Sequence, residues 1–553
     1  MLAGIANAQD IVVINSENWQ DVYNGMVYAN INGKPSKFLL EYKQGIELIQ
    51  IMEGKYDNIL VIQSEDSPVV SGYGSKLQTQ GFSVERMSDN PTNLNLELAR
   101  KSGVKDFIIM DDSFGHNAIS VGGYASKSRT MTIFADKENI DEVKDFLDSL
   151  DNPKVTIYSR VDREVREALQ DYTVERINKG DKFSNNFEIL KKHLALSNRG
   201  QVILTNGNFI EEEILLGTDP VILVGNNNVP EDVINTIKDS NVRIGIAVGT
   251  DIIANARAIK EATDINIFVK FAQGRNQQQL PLDTFNISGY SFALDITRAV
   301  YNIATKQLQL TISNPADNYL VFRGDYEIIA DNQSIAKFSD DEVFFISSDS
   351  DFSNLYQADL TDYNGRDVYL KSNLLMGEDE KALEALSEKT MKIEFVEYID
   401  NSDIEITDVS FDKKKQRFNI IIKNKADEQV YARATLVDLV IDNNKETYTS
   451  EKIRIEAKGE ASARINAPLE EIDYEDNEII RVKARFGQRE DALIKSIEQE
   501  FPLKFSAFGL DWIKIGMYAG AALLIIIILL VIIRIAKRPR IPKHSPPPRH
   551  RLL

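Results

Sequence analysis

Histidine, the side chain best suited to moving protons near neutral pH, occurs twice in the first 510 residues, as His116 and His193. Neither has a Ser/Asp pair beside it or a partner at i, i+4, so a nucleophilic triad and a helical zinc pair are both unsupported. His116 reads as an exposed loop residue. The chain contains no cysteine, which removes disulfides, thiolate metal sites and thiol nucleophiles together. Gly72-Tyr73-Gly74 lacks the third glycine of a dinucleotide loop, and no phosphate-loop lysine pattern occurs. The run from Ser347 to Asn354 is rich in oxygen ligands but lacks the ordered spacing of a calcium loop, and reads as a solvated turn. Glu211 to Glu213 reads as a helix start favoured by the helix dipole. Gly122-Gly123 and Gly225 to Asn228 read as strand-end turns. No catalytic residue, metal ligand or cofactor site is expected, and the chain reads as a non-enzyme.

The elements that would position any ligand come from a repeat in the first 275 residues. An apolar run followed by a polar loop and an aromatic occurs three times: Ile11 to Ile14 with Trp19, Phe107 to Met110 with Phe114, and Val202 to Leu204 with Phe209. The aromatics are 95 residues apart both times. A second run follows in each unit (Phe38 to Leu40, Met131 to Phe134, Val221 to Val224), and then a third (Ile59 to Ile62, Val155 to Tyr158, Ile244 to Val248). Helical periods lie between them, for example Pro230 to Lys238. Phe82 to Met87 and Tyr172 to Ile177 echo each other before helices at about Thr92 to Arg100 and Ser184 to Leu194. Short apolar runs alternating with helical periods predict small, mostly parallel, helix-covered sheets.

Val202 to Phe209, Asp219 to Val224, Ile246 to Thr250 and the junction Tyr172 to Asp181 resemble the cell wall-binding repeat type 2 module of prokaryotic surface proteins. The resemblance covers about half the chain. Asp21 meets the family's acidic position after the loop aromatic, whereas the other two units depart from it. The resemblance implies Toprim-like or Rossmann-like units in threes, packed around a pseudo-threefold axis, with a role in attaching proteins to the envelope. Should the units bind a solute instead, open α/β sheets place ligand loops at strand C-terminal ends; here those are Asn206, Gly207, Asn208, Gly249 and Thr250.

Beyond residue 279 the texture changes to period-two alternation. Leu308, Leu310 and Ile312 precede Asn314-Pro315-Ala316-Asp317, and Phe418, Ile420 and Ile422 precede Asn424-Lys425-Ala426-Asp427, an offset of 110. Gly377 with Ala382 recurs as Gly487 with Ala492 at the same offset. Two tandem immunoglobulin-like β-sandwiches are predicted.

From Ile515 to Ile533 there are 19 residues without a charge, about 28 Å of helix and close to a bilayer's hydrocarbon thickness. Arg534, Lys537, Arg538, Arg540, Lys543, Arg549 and Arg551 follow, so a cytoplasmic tail and an outside N-terminus are expected. Ala6-Asn7-Ala8 has the form of a signal-peptidase site. The expected order is therefore a signal remnant (1–8), three α/β repeats (9–100, 101–197, 198–278), two sandwiches (279–395, 400–508), a transmembrane helix (513–535) and a basic tail (536–553).

The formal net charge is −20, which disfavours nucleic acid as a partner. Asn286 and Asn332 open glycosylation sequons. These features predict a membrane-anchored cell-surface protein with a structural or adhesive role. It would support a surface layer (S-layer) or bind envelope glycan or protein, with membrane lipid held by the C-terminal helix. A solute-binding or sensing domain is the alternative. The acidic, cysteine-free composition fits archaea.

Overall fold

The computed structural model describes residues 9–505, except 198–199, 250–251, 271, 274–278, 281–283, 288, 317, 442–443 and 491. The chain divides between Ile399 and Asp400 into two compact units.

The first unit opens with three α/β repeats. Repeat 1 comprises β1 (Gln9–Asn15), α1 (Trp19–Ile31), β2 (Ser36–Phe38), α2 (Tyr42–Met52), β3 (Tyr56–Ser64), α3 (Tyr73–Thr79), β4 (Ser83–Asp89) and α4 (Pro91–Ser102). Repeat 2 comprises β5 (Asp106–Met110), α5 (His116–Ser128), β6 (Met131–Phe134), α6 (Ile140–Asp148), β7 (Lys154–Tyr158), α7 (Arg163–Ala168), β8 (Val174–Ile177) and α8 (Lys182–Leu196). Repeat 3 comprises β9 (Gln201–Thr205), β10 (Phe209–Ile210), α9 (Glu212–Leu215), β11 (Val221–Leu223), α10 (Glu231–Asp239), β12 (Ile244–Val248), α11 (Ile253–Ala262) and β13 (Asn266–Lys270). Each has a four-stranded parallel sheet of one topology, β2-β1-β3-β4, β6-β5-β7-β8 and β11-β9-β12-β13. The central strands are apolar because helices cover both faces: Val12, Val13 and Ile14 are buried, as are Phe107 to Met110 and Val202 to Leu204.

The first helix of each repeat meets the other two at one centre. The carbonyl of Leu215, which ends α9, accepts bonds from Asn30 Nδ2 on α1 and Ser126 Oγ on α5, both at 2.7 Å. Gly122 lies at this crossing, where a Cβ would stand 2.3 Å from Leu215 and 3.1 Å from the Tyr23 ring. Gly122 and Gly123, read from the sequence as a turn, thus lie inside α5, where their lack of side chains lets three helices approach.

The repeats are also latched edge to edge. Asn95 on α4 donates to the carbonyl of Thr132 (2.9 Å) and accepts from the N–H of Phe134 (3.1 Å), on the outer edge of β6. Asn186 on α8 does the same for repeat 3, with Val221 O at 3.1 Å and Leu223 N at 3.0 Å. A primary amide has the donor–acceptor spacing of a peptide unit, so each asparagine completes an edge strand that would otherwise bury unpaired backbone groups.

After two short pairings, β14 (Ala272–Gln273) with β15 (Gln279–Leu280) and β16 (Phe285–Asn286) with β10, comes the first sandwich. Its strands are β17 (Asp295–Asn302), β18 (Gln307–Asn314), β19 (Leu320–Ala330), β20 (Gln333–Ser339), β21 (Phe344–Ile346), β22 (Ser350–Gln357), β23 (Val368–Gly377), β24 (Leu383–Lys392) and β25 (Glu394–Val396). One sheet runs β22-β18-β17-β25 and the other β20-β19-β23-β24, with β21 also on β19. Leu308, Leu310 and Ile312 enter the shared core with Phe322, Ile328 and Leu370.

The second unit carries the same plan with strands β26 (Ile404–Asp412), β27 (Arg417–Asn424), β28 (Val430–Ile441), β29 (Asn444–Thr449), β30 (Ile453–Ile455), β31 (Glu460–Asn466), β32 (Ile479–Gly487) and β33 (Lys495–Pro502). Strands β18 and β27 coincide exactly under the 110-residue shift. The bulge at Ile296/Arg298 recurs at Ile406/Asp408. Asn314 and Asn424 each close their turn by donating to the backbone four residues on, at Asn318 O (2.8 Å) and Glu428 O (2.7 Å).

The expected location, a single-pass membrane protein with its N-terminus outside, is corrected: no helix among the described residues is long and apolar enough to cross a membrane. The longest described helix, α8, has 15 residues, about 22 Å against the roughly 30 Å of a bilayer core. The stretch from Ile515 to Ile533, residues 1–8 and the tail at 536–553 lie outside the described residues.

Candidate functional site at the seam of the repeats and the first sandwich

Buried charges gather where α8 meets the β23–β24 turn. Asp181 caps α8, its carboxylate accepting from the N–H groups of Phe183 and Ser184, both at 2.9 Å. The next residue, Lys182, is only 5% exposed. A cation in the first turn is disfavoured by the helix dipole and by burial, so it requires anions. Glu384, fully buried, supplies one with Oε1 2.6 Å from Lys182 Nζ. Glu378 supplies another, accepting the Lys182 backbone N–H at 3.3 Å.

Burial pushes the Glu378 carboxyl up to about 7 against the pull of Lys182. Burial also raises Glu384, again opposed by Lys182. The ammonium lies over Phe183 and Phe292, 5.3 and 5.9 Å from the ring centroids. His116 opens α5 and is buried, not exposed as its loop-like context suggests. Desolvation, and then Lys182, hold it well below its usual range. Its ring stacks on Phe114 at 5.7 Å, and Phe114 meets Tyr290 at 5.1 Å.

A second clamp holds the same strand. The loop after β11 wraps the Glu384 carbonyl, which accepts from the N–H groups of Asn226, Asn227 and Asn228 at 3.2, 3.2 and 3.0 Å. Asn227 pairs both ways with Leu386, accepting its N–H at 2.6 Å and donating to its carbonyl at 3.0 Å. Asn228 donates to Leu383 O at 2.6 Å. Asn255 on α11 holds the loop from behind through Gly225 O and Asn226 O, at 2.9 and 3.1 Å. Gly225 turns with φ 84°, and a Cβ there would stand 2.3 Å from Asn228 O.

The loop singled out for ligand binding meets this seam. Asn206 is buried and accepts the Asn208 N–H at 3.2 Å. Gly207 has φ 79° and lies against His116, whose Cβ would be 3.1 Å from an added Cβ. Asn208 donates to Asn226 Oδ1 at 2.8 Å, and its carbonyl accepts from Ile287 N at 3.2 Å. Asn208, Asn226 and Asn227 line an open groove of about 590 Å³ with Phe292, Leu386 and Ser387. Gly249 follows β12 with φ 125°, away from this groove lining, and Thr250 lies outside the described residues.

The two sequon asparagines are exposed, Asn286 in β16 and Asn332 in the β19–β20 turn with φ 60°. Glu211 caps α9 through Glu213 N (2.8 Å) and pairs with Lys270 (2.6 Å). Among the described residues no group of three His, Cys, Asp or Glu side chains is arranged to hold a metal.

Asp21, the acidic residue after Trp19, is 1% exposed and accepts from Ser16 Oγ at 2.7 Å. Burial raises its carboxyl from an ordinary 3.8 to about 6. A folded value above the unfolded one means the contribution is full below pH 3.8 and is lost as pH rises through 6. At about 1.4 kcal/mol per unit, ionised Asp21 costs up to about 3 kcal/mol at neutral pH. Asp21→Asn is expected to raise stability at pH 7 and to flatten the urea-unfolding profile between pH 4 and 6; an unchanged profile contradicts this.

Residue type alone does not single out Lys182, Glu378 or Glu384. A signal existed in the 110-residue offset, where Glu378 corresponds to Gln488 and Glu384 to Ile494. Two carboxylates whose twins are uncharged mark a job specific to the first sandwich.

No known family profile matches the sequence, and no protein of established description is similar to it in sequence. Among solved structures, the chain is similar to Cwp6 from Clostridium difficile (14% identity, TM-score 0.37, 47% of this chain and 45% of that one). It is also similar to Cwp8 from Clostridium difficile (16% identity, TM-score 0.38, 47% of this chain and 48% of that one). The periplasmic chaperone SfaE matches at 14% identity and TM-score 0.14, over 39% of this chain and 99% of that one. The chain thus spans about half the length of the two Cwp proteins, and TM-scores at this level carry no functional argument.

Proposed function

We propose that this chain is a non-catalytic structural or adhesive protein of the cell envelope, with surface-layer protein or envelope glycan as its partner. Its repeats are taken as cell wall-binding repeat type 2 units with Rossmann-like sheets, and its sandwiches as immunoglobulin-like spacers. The supporting observation is the use made of the strand-end loops. Asn226 to Asn228 are engaged in fixing repeat 3 to the first sandwich, and Asn208 braces that loop through Asn226, where a receptor would keep such groups free for solute. The edge latches at Asn95 and Asn186 favour the same reading, since they join the repeats into one stiff body.

The test is retention of envelope fractions by the immobilised full chain. A glycan or surface-layer component held in preference to cytosolic protein is the expected result; no retained component refutes the adhesive role. The groove beside Asn208 and Phe292 favours one other reading, a solute-binding domain. Saturable protection of that groove by a small solute in hydrogen exchange would establish it instead.

A further inference from the structure

The pair at the heart of the seam has the makings of a covalent bond. We propose that Lys182 and Glu384 are joined by an isopeptide (amide) bond that forms spontaneously after folding, with Glu378 as the proton carrier.

Three observations carry this. First, the amine and carboxyl are already in contact, Nζ to Oε1 at 2.6 Å, with Lys182 and Glu384 both inaccessible. Two groups held at reacting distance have an effective concentration far above any attainable in solution, on the order of 10⁵ M or more for well-oriented pairs. Second, the pair is shielded from solvent, with the rings of Phe183 and Phe292 flanking the lysine. A dry site disfavours the ammonium–carboxylate pair relative to its neutral amine–acid form, the form that reacts. It also excludes the water that opposes condensation. Third, a second acid, Glu378, half-buried and held against the Lys182 backbone N–H at 3.3 Å, has its carboxyl pushed up to about 7 by desolvation. One lysine cannot neutralise two carboxylates, so one proton stays in the cluster, available for transfer.

The step balances without a co-reactant. Lys182 Nζ gives a proton to the carboxylate cluster, and its lone pair attacks Cδ of Glu384 to form a C–N bond. Glu378 donates a proton to the departing oxygen and recovers one from nitrogen. The C–O bond breaks, one water leaves, and a secondary amide remains. Nothing is oxidised or reduced. The product removes both buried charges of the pair and ties the start of α8 to β24, so tension between repeats and sandwich is borne by a covalent link. The twin turn in the second unit has Gln488 and Ile494 at the two acidic positions, so no such bond forms there.

The experiment is peptide mapping of the full chain after native incubation, denaturation and digestion. The expected product is a branched peptide joining position 182 to position 384, lighter by one water than its two halves. Lys182→Arg keeps the charge without a transferable amine of this reach and is expected to yield only linear peptides. Glu378→Gln keeps the cavity filled and is expected to slow branching about a hundredfold, the usual worth of a positioned acid–base group. Linear peptides with free Lys182 and Glu384 from folded wild-type chain would overturn the proposal, as would a branch through any other pair. Undiminished branching in Glu378→Gln would remove Glu378 from the mechanism.

Discussion

Measured against freshly folded chain in which Lys182 and Glu384 are still unlinked, Lys182→Ala lowers the stability of the first unit by about 3–5 kcal/mol, the usual cost of stripping one partner from a buried ion pair. Glu384 is left at zero exposure and Glu378 beside it, with the compensating cation gone. The loss has a specific remedy. Lys182→Met combined with Glu384→Ile, the residue at the equivalent position of the second sandwich, restores most of the stability because a well-packed apolar pair replaces an ion pair at little net cost. Urea unfolding of the two variants checks both halves. A mild effect of Lys182→Ala, or a double variant no better than the single one, shows that the seam does not depend on this charge pair.

Gly377→Ala and Gly487→Ala are expected to be about as damaging, each in its own sandwich. A Cβ at Gly377 would stand 1.9 Å from the carbonyl oxygen of Ala382, and at Gly487 2.0 Å from that of Ala492. Contacts below 3.0 Å to backbone cannot be relieved by a rotamer change, so the turn itself must open. Ala382 N bonds Asp379 O at 2.9 Å and Ala492 N bonds Arg489 O at 3.1 Å, and both bonds would be disturbed. Overpacking of this kind costs about 1–3 kcal/mol, and more where backbone must move. Hydrogen exchange reads the outcome: Gly377→Ala speeds exchange in β23 and β24, Gly487→Ala in β32 and β33. Unchanged protection in either case shows that the turn tolerates a side chain.

These glycines illustrate what was legible beforehand. The 110-residue echo of Gly377/Ala382 in Gly487/Ala492 was visible as letters, and the structure gives it a cause in close backbone approach. The alternation at Leu308, Leu310 and Ile312 likewise places β18 and its facing core, because period two follows directly from strand geometry. The parallel runs of the repeats were legible for the same reason: strands buried on both faces are apolar throughout.

Other features depended on distance in the fold. Trp19, Phe114 and Phe209 are evenly spaced, yet Trp19 opens α1, Phe114 precedes α5 and Phe209 lies in β10. Loop length absorbs the difference between spacing and structure. Gly122-Gly123 looked like a turn because only the meeting of α1, α5 and α9 demands small residues there. Nothing in the local sequence singles out Lys182, because its anions arrive some 200 residues later. The strand β13 was missed, its alternation at Ile267 and Val269 being too short to stand out.

The asparagine latches give the array a direction. Repeat 1 completes repeat 2 through Asn95, and repeat 2 completes repeat 3 through Asn186, so each unit lends to the one that follows it. During synthesis the lender is finished before the borrower leaves the ribosome, and the chain can assemble in the order in which it is made. Truncation should be correspondingly lopsided. Trimming from the carboxyl side strands an amide, a local loss, whereas trimming from the amino side bares the flank of a β-sheet, the kind of surface on which unrelated chains aggregate.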